Sequence, residues 1–114
     1  MNQDEMNHII DNAYVAARRV FGYSREELQQ TCRRDLKPLA RHCVVFYIRR
    51  RTAMPYLTML KYIKRSAHGT LLHSMKAIYN YIETKDKRNT PLIQEFMEIA
   101  DSLDNVEYMR RCPH

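Results

Sequence analysis

The stretch Arg65-Ser-Ala-His-Gly-Thr-Leu-Leu-His-Ser-Met-Lys-Ala-Ile78 decides how the chain is read. Leu71, Leu72, Met75, Ile78, Tyr79 and Ile82 recur at helical spacing and predict one apolar stripe on a helix of about four turns. Ser66 suits the N-cap, so the helix is expected to begin at Ala67. Off the stripe stand His68, Gly69, Thr70, His73 and Lys76, which are small, hydrogen-bonding or cationic and never acidic. A helix that enters a DNA major groove needs such a face. The same residues would also serve as a plain solvated face.

One step outward, residues 55–64 read as a short helix with Pro55 at its first position and Leu57, Met59, Leu60 and Ile63 as its apolar residues. Lys64-Arg65-Ser66 then turns into the longer helix. Short helix, tight turn and long helix make the outline of a helix-turn-helix.

These residues carry a resemblance. Leu39-Ala-Arg-His42, the 56–63 segment and His68-Gly-Thr-Leu-Leu-His-Ser74 are similar to the C-terminal DNA-binding domain of the bacterial chromosomal replication initiator, DnaA, a helix-turn-helix of the Trp-repressor-like kind. That family's signature runs Gly-Arg-Asp-His-Ser/Thr-Thr-Val-Leu-His-Ala. This chain keeps its His68, Thr70, Leu72 and His73, with Leu71 in place of Val. Val20-Phe-Gly-Tyr-Ser-Arg-Glu-Glu-Leu28 resembles the family's opening segment, so the match runs over about 15–82. Ala67 replaces the family's Asp, Ser66 its Arg and Gly69 its hydroxyl residue, while Lys64-Arg65 stands for Gly-Gly. The resemblance implies base contacts from His68, Gly69 and Thr70, and a minor-groove contact from Arg33 with Arg34 beside it. It also implies phosphate contacts from Arg41, His42, His73 and Lys76.

Composition agrees with an all-α domain. In 114 residues there are 2 glycines and 4 prolines, and strand-like alternation is hard to find. Cys43-Val-Val-Phe-Tyr-Ile48 is β-branched but sits in a longer run, 38–51, that reads better as a buried helix closed by Arg49, Arg50 and Arg51. Earlier in the chain, 2–21 reads as a helix with Ile9, Ile10, Tyr14, Ala17, Val20 and Phe21 inward and Gly22 ending it. Ser24 and Glu27 have capping-box spacing for a short helix over 25–30. A basic loop, 31–37, leads to Pro38. After a polar connector, Thr90 and Pro91 open a last helix over 92–103, with Ile93, Phe96, Met97 and Ala100 inward and 104–114 frayed. The expectation is one domain of about five or six helices.

Charge is segregated. The net charge is +6, yet between Arg33 and Lys76 there are eleven cations and one anion, Asp35. Arg34, Lys37, Lys64 and Arg65 join the phosphate-contact candidates on that count, as the footprint of a nucleic-acid binder. A basic face can also dock an acidic protein partner or an anionic membrane, but here the basic residues coincide with the helix-turn-helix.

Other chemistry finds little material. Two glycines leave nothing for a phosphate loop, so no nucleotide or other cofactor is expected. His68 and His73 are five apart and diverge on a helix, so no metal is expected either. His42 and Cys43 are adjacent and diverge as well. No apolar run reaches the length of a membrane span, and the first residues lack a secretory signal. Cys32, Cys43 and Cys112 read as free thiols of a reducing cytoplasm, with the protein at the nucleoid. The sequence therefore points to a non-enzymatic binder of double-stranded DNA. It leaves the oligomeric state open, along with the choice between replication and transcription control.

Overall fold

Six helices and no strand make up the described residues: α1 (Gln3–Phe21), α2 (Arg25–Gln29), α3 (Lys37–Thr52), α4 (Tyr56–Ile63), α5 (His68–Glu83) and α6 (Thr90–Arg111). The computed structural model describes residues 3–29, 35–63 and 68–111, with side chains at 3–29, 35–63 and 71–105.

α3 is the axis of the domain. It packs against α1 on one side and α5 on another, and touches α2 and α6. Cys43 to Ile48 are six consecutive buried residues, so this helix is covered all round. That explains why its sequence lacks a helical stripe and mimics a buried strand. Each large apolar side chain so enclosed stabilises the fold by about 1.5–3 kcal/mol relative to exposure. α1 closes over α3 with Ile9, Ile10, Ala13, Tyr14, Ala16 and Ala17, and α6 closes over α1 with Ile93, Phe96 and Ala100 in the shared core.

Local signals explain most boundaries. Gly22 takes φ +82° and its amide donates to the Arg18 carbonyl at 2.9 Å, ending α1 in the left-handed region. The capping box is formed in both directions. The Glu27 amide donates to Ser24 Oγ at 3.2 Å, and the Ser24 amide donates to Glu27 Oε1 at 3.1 Å. Ala53 ends α3 at φ 52°, with its amide on the Arg49 carbonyl.

Some boundaries differ from expectation. α3 begins at Lys37, with Pro38 second in the helix. Pro55 precedes α4 and accepts the amides of Thr58 and Met59, so it sits at the cap and not in the first turn. Thr90 belongs to α6 itself. Its hydroxyl donates to the Tyr81 carbonyl at 3.1 Å, while Asp86 Oδ1 takes the amides of Arg88 and Asn89 and shapes the turn before it. The larger correction concerns the tail: α6 does not fray at Asp104 but continues to Arg111.

The cause is a buried carboxylate. Asp104 is 6 % exposed and accepts from Asn12 Nδ2 at 2.7 Å, from Arg51 Nε at 3.3 Å and from the Tyr47 hydroxyl. Burial first, and then this hydrogen bond, push the Tyr47 phenol well above its ordinary pKa. An acid in the last turns of a helix reads as surface until the helix is seen to cross α1 and α3.

Candidate nucleic-acid interface

α5 is held on α3 by ring and hydroxyl contacts that fix its rotation. His42 Nδ1 and Ser74 Oγ are hydrogen-bonded at 2.7 Å, and Ser74 is buried. The His42 ring meets the His73 ring edge-on at 5.5 Å, and one turn further Phe46 meets Tyr79 at 5.2 Å. Leu71, Ser74 and Ile78 consequently face the core. The predicted stripe is only half right. Leu72, Tyr79 and Ile82 are exposed, because six positions span a wider arc than α3 and its neighbours cover. On α4, Met59 and Ile63 are buried while Leu57 is 71 % exposed.

The open face of α5 then carries Leu72, His73 and Lys76 within one turn. The helix has no acid in its first turn, and Glu83 at its end is its one carboxylate. Of the residues expected at DNA, His73 and Lys76 are thus brought together and exposed. The backbone of His68, Gly69 and Thr70 forms the first turn of α5; their side chains lie outside the described residues, as do Arg33, Arg34, Lys64 and Arg65. The expected N-cap Ser66 and helix start Ala67 lie there too.

The expected phosphate contacts Arg41, His42 and Lys37, and the three arginines at the end of α3, are engaged by groups of the protein itself. Arg41 is half-buried and its Nε donates to the Leu28 carbonyl at 2.7 Å, tying α3 to α2. His42 is half-buried and engaged with Ser74 and His73. Lys37 lies over the Tyr23 ring at 5.6 Å. Arg49 Nη1 donates to the carbonyls of Ala53 and Met54, and its guanidinium stacks 4.6 Å from the Tyr56 ring centre. Arg50 lies over Phe46, and Arg51 meets Asp104. Part of the central positive charge therefore organises helix ends. Sequence counting could not separate these cations from those on the open face, since the two kinds differ only in their neighbours.

Cys43 is fully buried, and burial pushes its thiol well above the ordinary range, so the thiolate is suppressed. Ser74 stands beside an imidazole, yet its burial keeps substrate atoms from its hydroxyl. Among the described residues no three His, Cys, Asp or Glu side chains converge as metal ligands. A cleft of about 190 Å³ between α3 and α6, lined by Tyr47, Arg50, Arg51, Met97 and Asp101, is smaller than the roughly 300 Å³ at which small-molecule sites begin. No described helix is long and apolar enough to cross a membrane. Comparisons with protein-family models, with curated proteins and with solved structures give no match.

Proposed function

We propose that this chain binds double-stranded DNA as a helix-turn-helix protein, with the N-terminal half of α5 in the major groove. The observation that carries the reading is the N-terminal half of α5, which holds no acid and exposes Leu72, His73 and Lys76 just after the first turn formed by the backbone of His68, Gly69 and Thr70. A groove-facing helix must bring hydrogen-bonding and cationic groups to base edges and phosphates, and a carboxylate beside the phosphates would be repelled by them. The resemblance to the replication initiator's DNA-binding domain supports the same assignment and suggests a role in controlling replication or transcription. In this reading the protein acts by occupancy alone, with no catalytic step.

The departures from the family motif bear on specificity. Ala67 and Gly69 lack the side-chain hydrogen bonds that an Asp and a hydroxyl residue would offer. An unread base pair costs about 1–3 kcal/mol of discrimination. Preference for the initiator's site over other A·T-rich DNA should therefore be flattened by roughly 2–4 kcal/mol, with phosphate affinity kept.

The deciding experiment is a gel shift of fluorescent duplexes, initiator sites and scrambled controls, across a salt series. Binding that weakens steeply with salt is expected. If no duplex shifts at micromolar protein in low salt, the DNA reading fails and a basic face that docks an acidic protein takes its place.

A further inference from the structure

Leu72 is 39 % exposed on the one turn of α5 that also shows His73 and Lys76. Its neighbour Leu71 is fully buried, and the His42–Ser74 and Phe46–Tyr79 contacts fix the helix rotation that separates them. The exposure is therefore set by packing and does not come from a loose helix end. Positions 69, 72, 73 and 76 share one helix face. A helical side chain leans over the turn on its N-terminal side, which for Leu72 is the turn of Gly69. Gly69 has no side chain to compete for that space. Tyr79, also exposed, is roughly 10 Å further along the axis and outside the same turn.

We infer that Leu72 reads base identity, packing its isobutyl group against the 5-methyl of a thymine. The inference rests on the DNA-binding reading above. In the major groove the base edges offer donors and acceptors, and the thymine methyl is the apolar feature an aliphatic side chain can match. Leu72 would thereby supply apolar discrimination on a face where Gly69 offers no side chain.

The test uses the full chain and a duplex it recovers from a randomised pool. Each thymine is replaced in turn by deoxyuridine, which deletes only the methyl. The full chain should lose about fourfold in affinity at one position, the effect of one buried methyl. Leu72→Ala should show no loss at that position and unchanged losses elsewhere, while Leu72→Met, which keeps an apolar contact, should retain it. Thermal melting confirms that both variants fold. Equal losses in Leu72→Ala and the unaltered chain, or no sensitive thymine at all, overturn the assignment while DNA binding stands. Failure of the unaltered chain to bind any duplex overturns both.

Discussion

His42 Nδ1 and Ser74 Oγ lie 2.7 Å apart, and this hydrogen bond joins the central helix α3 to the buried side of α5. It sits beside the residues that face outward, so it sets which side chains of α5 meet solvent. Ser74→Ala should lower stability by about 1 kcal/mol, the net worth of one hydrogen bond. A double-mutant cycle with His42→Ala, followed by urea unfolding, should return a coupling energy of similar size. Additive effects would mean that the ring contact with His73 and the local packing hold α5 without this bond.

Asp104 is the strongest polar node of the core. Asp104→Ala strands Tyr47 and Asn12 and leaves Arg51 without its carboxylate, so a loss of about 3 kcal/mol is expected, near the low end for a broken buried pair because Arg51 is half exposed. Asp101→Ala, on the exposed side of α6, should stay within about 0.5 kcal/mol. Ending the chain after Leu103 should cost at least as much as Asp104→Ala. A truncated protein with unchanged melting would remove the reason given for the length of α6.

DNA affinity should respond differently to the two kinds of cation. Lys76→Ala should weaken binding evenly across sequences and reduce the slope of log affinity against log salt by about 0.9. Arg33→Ala should cost about 1–3 kcal/mol, chiefly on duplexes with an A·T flank. Fluorescence titrations at several salt concentrations separate the two. An Arg33 effect below a few tenths of a kcal/mol would pass the minor-groove role to Arg34.

Cys43 should resist thiol reagents in the folded protein. Its burial blocks the reagent and keeps the proton on sulfur. Peptide mass mapping after iodoacetamide should find residue 43 labelled only when denaturant is present. Rapid labelling under native conditions would show that the α3 core opens far more readily than its packing implies.

Acid should weaken the cap of α2. The Ser24 amide donates to the Glu27 carboxylate and lowers its pKa from the ordinary glutamate value, against a smaller opposing effect of desolvation. A carboxyl whose pKa is lowered by folding stabilises the native state fully above its unfolded pKa. That contribution is lost as pH falls through the folded value. Glu27→Gln should therefore be less stable than the unaltered chain at about pH 7 and nearly matched to it at about pH 3. Urea midpoints at the two pH values measure this, and a constant difference would assign the effect of Glu27 to packing.

The amino-acid sequence by itself determined the helices and several of their ends. Helical periodicity, the left-handed demand at Gly22 and the Ser24–Glu27 capping box act through neighbours in the chain, and the structure contains each of them. It also marked Ile93, Phe96 and Ala100 for the core, since one face of a helix is enough to identify them. Tertiary structure alone decided which half of the α5 stripe is buried. The arc covered by α3 depends on how the His42–Ser74 and Phe46–Tyr79 contacts rotate the helix, and those partners lie about 30 residues apart in sequence. For the same reason the sequence assigned Arg41 to a phosphate and Arg51 to the end of its own helix, until packing brought Leu28 and Asp104 beside them. A charge reports its sign in the sequence, but its work depends on the group that packing places within hydrogen-bond reach.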